Sequence, residues 1–235
     1  TSDLILRDAN LAQRLAGDAV VQCFRLTAPE PSLHDPRSDL ERVLAVLAEE
    51  TGISPNNLRP VAPAALRALL RNSTDYDFII TSGGASVGDH DLVKQVFAEI
   101  GEINFWRAKI KPGKPVAFGC IGTGTHFFAL PGNPVSSLVT FKLFVEPALY
   151  AWHHSQQPVL ELPAIATNGF QRKPGRMEFL RARLWSENGE LKAEVLAGQG
   201  SHQIGTLRYT NGFIRIGEDS QGFAAGERVS TLPLF

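Results

Sequence analysis

The first two-thirds of the chain alternates short apolar runs with segments whose apolar side chains recur at helical spacing. Leu40, Val43, Leu44 and Leu47 fall at positions i, i+3, i+4 and i+7, which is typical of an amphipathic helix. Runs of β-branched and aromatic residues predict buried strands. The pattern predicts strands at 19–24, 78–81, 103–110 and 127–130, and helices at 39–50, 64–70, 92–100 and 134–152. Such alternation predicts an α/β domain with a mostly parallel sheet and helices on both faces.

The pattern changes near residue 157, where short runs separated by turn residues replace the helical periodicity. Residues 181–185 and 191–196 flank a five-residue connection that contains Asn188-Gly189, and Asn-Gly is a strong signal for a β-hairpin turn. A second Asn-Gly pair precedes a predicted strand at 213–216. We therefore predict an α/β domain over residues 1–156 and a small all-β domain, a barrel or a sandwich, over residues 157–235.

Composition places the chain among ordinary soluble globular proteins, with 43% hydrophobic and 20% charged residues. The formal net charge of −1 argues against general nucleic-acid binding, which needs a basic surface. The longest apolar stretch, 135–152, is interrupted by two charged residues and a proline, so we predict no membrane span. Cys23 and Cys120 lack metal-ligand spacing, and a reducing cytoplasm fits them. Because no initiating Met is present, we expect a fragment of a longer protein.

The strongest local motif, TSGGASVGDHD at 81–91, lies between a predicted strand and a predicted helix. Its glycines let backbone N–H groups approach an anion, and the N-terminus of the following helix adds a favourable field. Open α/β sheets bind ligands in this strand-end crevice. The competing interpretation is a tight turn in which Asp89 or Asp91 caps the helix. The candidate anion-binding residues of the motif are Ser82, Gly83, Gly84, Ser86 and Gly88.

Asp91 is the least expected residue of this motif, because its carboxylate would repel a phosphate held by the loop. A carboxylate beside an anion site suggests a bound metal ion between them, typically Mg²⁺. A role at the start of the helix, favoured by the helix dipole, explains Asp91 equally well on local grounds. Asp91 is therefore the candidate metal ligand, with the helix-start role as the alternative.

A row of cations follows in FWRAKIKPGKP, residues 105–115. On one extended strand, Arg107, Lys109 and Lys111 point to the same face, where they repel one another unless an anion or acidic groups lie over them. Lys114, after a Pro-Gly turn, adds a fourth positive charge. A solvated sheet edge would also tolerate these side chains. We predict that the row binds an anion.

The segment LPGNPVSS, residues 130–137, is a second strand-end turn that opens a helix. Asn133 is predicted to cap this helix, with Pro134 at the first helical position. That assignment is a sufficient structural explanation of the motif. Its position at a strand end nevertheless predicts a second anion seat beside the first, formed by Pro131, Gly132, Asn133 and Pro134.

The all-β part holds a basic cluster in RKPGRMEF, residues 172–179, and a polar loop in GQGSH, residues 198–202. Arginine is suited to forked contacts with phosphate and similar oxyanions, which makes Arg176 and Arg181 candidates for substrate binding. Surface arginines are also commonly solvated without any ligand, so the two interpretations stay open for this cluster.

Taken together, the five motifs occur in the order and spacing of the MoeA/gephyrin E-domain family, which the chain resembles from about residue 76 to 235. The resemblance implies a MogA-like α/β fold followed by a small β-barrel. It also implies molybdopterin molybdenumtransferase activity: molybdate is inserted into adenylylated molybdopterin in the presence of Mg²⁺ or Zn²⁺, and AMP and molybdenum cofactor are released. A cytoplasmic homodimer, with molybdopterin adenylyltransferase and molybdoenzyme partners, is the corresponding expectation.

The resemblance also assigns roles to individual positions. Asp91 is similar to the family's carboxylate that serves the metal-pyrophosphate region, and Arg107 and Lys111 occupy its two cationic positions. Pro131 and Pro134 match functionally sensitive prolines. Further positions that match the family are Lys114, Arg176, Arg181 and Ser201. Asp35, in an Asp-Pro motif, is a weaker match. The reaction is expected to need little from side chains that act as acids or bases. Backbone amides together with Arg107, Lys111 and Lys114 are expected to hold pyrophosphate and molybdate and to stabilise their charge.

Two features depart from the family's pattern. The family's Thr-Gly-Asp-Glu-Leu segment is not recognisable, and residues 51–74 have no counterpart. These departures leave a non-catalytic molybdopterin-binding or scaffold module as the alternative function. A molybdopterin adenylyltransferase of the MogA type is a second rival, against which the β tail and the Ala-Ser-Val-Gly sequence of the first loop both argue.

Overall fold

The computed structural model describes residues 20–24, 76–82, 96, 99, 101–105, 107–122, 124–152, 161–200 and 203–234. By their contacts, the residues of the chain divide into two units. The first unit contains Thr1–Ala108 and Pro115–Gln156, and the second contains Lys109–Lys114 and Gln157–Phe235. The segment 109–114, which the sequence places within the α/β domain, therefore belongs to the all-β unit.

Among the described residues, five strands form the sheet of the first unit, and a sixth strand before residue 131, β4, belongs to the second unit. The strands up to residue 130 are β1 (Val20–Phe24), β2 (Phe78–Ser82), β3 (Gly101–Phe105), β4 (Ile110–Lys111), β5 (Ala117–Ile121) and β6 (Thr125–Leu130). Their order across the first sheet is β1-β2-β6-β5-β3. The strands predicted at 19–24, 78–81 and 127–130 are confirmed as β1, β2 and β6.

The described sheet is mixed, so the prediction of a mostly parallel sheet is wrong for this part of the chain. Only β2 and β6 pair in parallel, whereas β1–β2, β5–β6 and β3–β5 are antiparallel. For the β5–β6 pair, the physical reason is the short connection. Three residues join β5 to β6, with Gly122 at φ 58°, and this closes a hairpin, whereas a parallel pair needs a long crossover. The sequence pattern did not identify β5, which supplies two of the antiparallel pairings.

One continuous helical segment packs against the sheet, as predicted for 134–152. It consists of helix α1 (Pro134–Thr140), a π-helical turn (Phe141–Val145) and helix α2 (Glu146–Trp152). Its apolar side chains bury the sheet face in one core, which contains Phe78, Ile80, Val116, Phe128, Leu130, Phe141, Val145, Leu149 and Tyr150. Such burial of aromatic and aliphatic side chains is the main source of stability for this unit.

Among the other predicted helices, 92–100 is helical at Val96 and Glu99, the two positions that the structure describes there. The helices predicted at 39–50 and 64–70 lie outside the described residues. None of the described helices is long and apolar enough to cross a membrane.

The second unit is a closed β-barrel, which decides between the two all-β architectures expected from the sequence. Its strands are β7 (Leu162–Ala166), β8 (Phe170–Gln171), β9 (Met177–Glu187), β10 (Glu190–Val195), β11 (Gly212–Ile216), β12 (Gly222–Phe223) and β13 (Arg228–Pro233). Neighbouring strands follow the order β10-β7-β13-β11-β9, and β10 also pairs with β9, which closes the barrel. The strand β4 joins the free side of β9, and β8 and β12 form a separate ribbon.

The hairpin predicted around Asn188-Gly189 is confirmed as β9 and β10. Both central residues have positive φ, 51° for Asn188 and 80° for Gly189. Two consecutive left-handed residues define the turn that matches the twist of a two-residue hairpin, and Asn-Gly is the preferred pair for it. The interior side chains of this hairpin, among them Leu180, Ala182 and Ala193, enter the barrel core.

Candidate functional site

The first candidate region is the carboxyl edge of the parallel pair β2–β6. Ser82 lies opposite Leu130 in the register, so the ends of the two strands meet at one edge of the sheet. The Ser82 hydroxyl lies 3.2 Å from the hydroxyl of Ser137 and donates to the carbonyl of Pro131 at 3.5 Å. Ser137 also donates to the Pro131 carbonyl. The structure thus brings the start of the first glycine motif against the LPGNPVSS segment.

Asn133 caps helix α1, as predicted, with Pro134 in the first turn. Its side-chain oxygen accepts from the Ser136 backbone N–H at 3.2 Å and from the Ser136 hydroxyl at 3.3 Å. The Ser137 N–H donates to the Asn133 carbonyl at 2.8 Å. Pro131 is buried beneath this turn, and Gly132 is exposed. The side-chain oxygen of Asn133 is thus engaged in the cap, and the exposed residue of this turn is Gly132.

The basic segment 105–115 is not one strand, and the expected row of three cations on a single face is wrong. Strand β3 ends at Phe105, and β4 begins at Ile110 in the sheet of the other unit. Arg107 lies between them and is exposed. The break follows from a long-range contact: β4 pairs in parallel with β9, and the Met177 N–H donates to the Lys109 carbonyl. A neighbour in space, rather than the local pattern, decides where this strand starts.

Acidic side chains of the barrel unit contact two of the three lysines of this segment, Lys109 and Lys111. Lys109 pairs with Glu218, and both side chains are largely exposed, at 67% and 40%. The Lys111 ammonium lies 2.7 Å from Oε1 of Glu178, a residue that is only 5% exposed. The alternative stated for the cation row, that acidic groups balance it, therefore holds for these two residues. Neither glutamate was identified from the sequence, because only the fold brings them close to the lysines.

Glu178 is shared between two cations. Its Oε2 accepts from the Arg172 guanidinium at 3.3 Å, and Arg172 is itself buried. Arg172 also donates to the carbonyl of Glu218 at 3.0 Å and to that of Lys173 at 3.2 Å. Two further cations, Lys114 and Arg176, lie within three residues of Lys111 and Glu178 in the sequence, and both are exposed. Arg176 donates to the Ile110 carbonyl at 3.4 Å. We call Lys111, Lys114, Arg172 and Arg176 together the cationic edge of the barrel. One buried carboxylate, that of Glu178, contacts Lys111 and Arg172 of this edge.

Arg181 holds a loop of the barrel, in contrast to the surface ligand expected from the sequence. Its side chain is 1% exposed, and burial lowers the pKa of its guanidinium. The guanidinium donates to the carbonyls of Gly198, of Gly200 at 3.1 Å and of Gln203 at 2.8 Å. The Gln199 side chain completes the arrangement by bonding the backbone N–H and carbonyl of Arg181, both at 2.9 Å. The geometry makes Arg181 a support of this loop, and direct contact with substrate stays a prediction.

Seven candidate residues lie outside the described part of the chain, and their predicted roles stay predictions. They are Asp35, Gly83, Gly84, Ser86, Gly88, Asp91 and Ser201. The residues that the structure does describe contain no group of three or more His, Cys, Asp or Glu side chains arranged to hold a metal ion. The described residues alone therefore do not furnish a site for the predicted metal, which depends on Asp91.

Two known protein families match this chain. Residues 37–151 match the family described as "Probable molybdopterin binding domain", and residues 163–234 match the "MoeA C-terminal region (domain IV)". The two matches define the class: an α/β domain of the molybdopterin-binding type followed by a MoeA-type β-barrel domain. The chain belongs to the MoeA/gephyrin family.

Individual relatives support the same family. The chain is 39% identical over 171 residues to a molybdopterin molybdenumtransferase from Haemophilus influenzae, a match covering 71% of this chain and 42% of the relative. It is 44% identical over 113 residues to gephyrin from Dictyostelium discoideum, covering 42% of this chain and 15% of the relative. A solved MoeA protein from Pyrococcus horikosii superposes with a TM-score of 0.63 and 26% identity, over 83% of this chain and 47% of that chain. The chain spans less than half the length of these relatives.

Proposed function

We propose that the chain is the molybdate-inserting part of a molybdopterin molybdenumtransferase, which acts on adenylylated molybdopterin and releases AMP. The observation that carries this proposal is the cationic edge of the barrel unit. There Lys111, Lys114 and Arg176 are exposed on or beside a strand that is fixed by backbone pairing and by a buried carboxylate. Phosphate and molybdate are the oxyanions that such an edge attracts. The family relationship makes an adenylylated pterin phosphate the expected substrate.

The chemistry proposed for this edge is electrostatic. As the phosphoanhydride of the adenylylated substrate breaks, negative charge grows on the oxygens of the departing phosphate. Ammonium and guanidinium groups that are already held in place stabilise that charge without reorganising during the reaction. Lys111 is the best placed of them, because its ammonium is anchored on one side while its side chain remains 54% exposed. Lys114 and Arg176 add positive charge for the remaining oxyanion.

The first unit contributes its own strand-end turns to the proposal. Ser82, Ser137 and the Pro131 carbonyl form a hydrogen-bonded base under the exposed Gly132. A rigid turn with an exposed glycine allows close approach of a ligand to the backbone, which is how strand-end turns hold phosphate groups. The divalent ion, Mg²⁺ or Zn²⁺, and the homodimer remain part of the proposal through the family relationship.

The test is release of AMP from adenylylated molybdopterin in the presence of molybdate. Replacing one preorganised charge-stabilising donor typically lowers turnover by about 10²–10³-fold, and we expect a loss of this order for Lys111→Ala. Lys109→Ala is the matched control, because Lys109 lies two positions earlier and its partner is the exposed Glu218. We expect the control to stay within about threefold of the parent, the effect of a surface ion pair.

Two outcomes would contradict the proposal in different ways. Parent-like AMP release by a folded Lys111→Ala variant removes Lys111 from the reaction. Tight binding of the adenylylated substrate by the parent chain, with no AMP release in the presence of molybdate and Mg²⁺, identifies instead the non-catalytic binding module that the sequence left as the alternative.

A further inference from the structure

The strand β9 places a carboxylate, that of Glu178, at the centre of the cationic edge, next to the Lys111 ammonium. Glu178 is the second residue of β9, lies opposite Lys111 of β4 in the register and opposite Ile216 of β11. It is only 5% exposed, although it lies near the start of the strand, next to a surface turn. A buried carboxylate is strongly unfavourable unless cations and hydrogen-bond donors compensate it. Both of its oxygens are in fact occupied, one by Lys111 and the other by Arg172.

The two cations around Glu178 differ in the number of N–H donors that remain available to a ligand. Arg172 is buried, and its Nε, Nη1 and Nη2 atoms all donate to oxygens of the barrel unit. Lys111 makes one contact, to Glu178, while an ammonium group carries three N–H donors. Its side chain is 54% exposed, so two donors remain available to a ligand. The three groups carry two positive charges and one negative charge, which leaves a net charge of +1 on the solvent side.

We propose that Glu178 is a positioning residue that orients the Lys111 ammonium towards a bound oxyanion of the phosphate, pyrophosphate or molybdate class. This inference rests on the proposed function, because it takes Lys111 as the oxyanion ligand. Arg172 balances the buried carboxylate, so Glu178 fixes Lys111 without cancelling its charge. A lysine side chain has four rotatable carbon–carbon bonds, and holding its ammonium on one side removes much of the ordering cost of binding.

The sign of the effect separates positioning from simple electrostatics. Removing the negative charge of Glu178 raises the local charge from +1 to +2, which by Coulomb's law alone strengthens the binding of an anion. Removing the anchor of Lys111 weakens it. The positioning role therefore predicts weaker binding after a change that makes the site more positive.

The experiment measures the affinity of the folded chain for inorganic pyrophosphate by titration calorimetry. We expect Glu178→Gln to raise the Kd by about tenfold, which is the loss typical of one charge-assisted hydrogen bond. Glu218→Gln is the matched control: it removes the carboxylate that contacts Lys109 on the same segment, but at an exposed position. We expect its Kd to be equal to or slightly lower than that of the parent, because only the charge changes.

A double variant tests whether Glu178 acts through Lys111. If it does, Lys111→Ala with Glu178→Gln binds no more weakly than Lys111→Ala alone, since the group to be positioned is already absent. Equal or tighter binding by Glu178→Gln, or effects that multiply in the double variant, would overturn the inference. A parent-like Kd for Lys111→Ala would instead contradict the role of Lys111 in the proposed function.

Folding is followed by circular dichroism, because Glu178→Gln leaves the buried Arg172 without its carboxylate. If this variant does not fold, Glu178→Asp replaces it. The aspartate keeps the charge beside Arg172 but withdraws the carboxylate by one methylene group from Lys111. Weaker pyrophosphate binding by the folded aspartate variant supports the positioning role, and unchanged binding overturns it.

Discussion

The two units of the chain order their polar groups in different ways. At the sheet edge of the first unit, uncharged groups hold the backbone in place: Ser82 and Ser137 donate to the Pro131 carbonyl, and Asn133 caps a helix. In the barrel, buried ions have this role: Glu178 forms ion pairs with two cations, and Arg181 donates hydrogen bonds to three loop carbonyls. Each neutral hydrogen bond contributes only a small amount to the free energy of unfolding, so that breaking one has a small effect. A buried ion that loses its partners is strongly unfavourable. The barrel should therefore be the more sensitive unit to single polar substitutions.

The largest expected effect is in the barrel. Arg181→Ala leaves the carbonyls of Gly198, Gly200 and Gln203 without their donor and opens space inside the unit. We expect the free energy of unfolding to fall by about 3 kcal/mol, the range for removing a buried charged donor with several acceptors. Urea unfolding measures this, and Arg183→Ala, at an exposed position of the same strand, is the control. A loss for Arg181→Ala no larger than that for Arg183→Ala would remove the contrast between the units.

The matching change in the first unit is smaller. Asn133→Ala removes the side chain that accepts from the Ser136 N–H, and loss of such a cap costs about 1 kcal/mol of unfolding free energy. Asn133→Asp keeps an acceptor at the cap and should retain most of the stability. The two variants are compared by urea unfolding at neutral pH. If the alanine variant loses as much as Arg181→Ala does, uncharged and ionic ordering are equally important in this chain.

The smallest expected effect concerns the one buried carboxylate described in the first unit, Glu146. Burial raises its pKa above the ordinary value of 4.5, and the hydrogen bond from Lys142, at 2.7 Å, partly opposes this. A raised pKa means that the carboxyl contributes stability that is full below pH 4.5 and is lost as the pH rises through the folded-state pKa. We expect Glu146→Gln to lack this loss.

The measurement for Glu146 is the melting temperature by calorimetry from pH 4.5 to pH 8. The melting temperature of the parent should fall relative to that of Glu146→Gln as the pH rises. Glu102→Gln, an exposed carboxyl of the same unit, should follow the parent. Parallel pH profiles for the parent and Glu146→Gln would show that Glu146 titrates alike in the folded and unfolded chain.

Local chemistry made part of the fold predictable from the sequence. The Asn188-Gly189 turn needs two residues at positive φ, and few pairs other than Asn-Gly supply them. Asn133 and Pro134 mark the start of a helix through preferences that involve only neighbouring residues. The apolar spacing of 134–152 likewise predicted the helical segment, although not the π-helical turn at Phe141–Val145.

Features that depend on distant residues were not predictable in the same way. Whether residues 103–111 form one strand depends on β9, which pairs with Ile110 and Lys111. The direction of the sheet strands depends on β5, whose short apolar run is interrupted by Gly119 and was too weakly patterned to identify as a strand. In the candidate site, the basic residues were evident from their spacing. Glu178, which orders them, was not, because a single glutamate in a strand has no signature until its neighbours in space are known.

The strand β4 has a practical consequence for dissecting the molecule. A barrel produced from residue 157 onwards would lack residues 109–114, although these belong to the same unit. Such a piece would expose the hydrogen-bonding groups of β9 that β4 covers, and Glu178 would keep only one of its two cations. Unpaired strand edges promote association between copies. The barrel unit of this chain cannot therefore be separated intact by cutting the sequence before residue 157, because it takes one strand, β4, from within the sequence of the first unit.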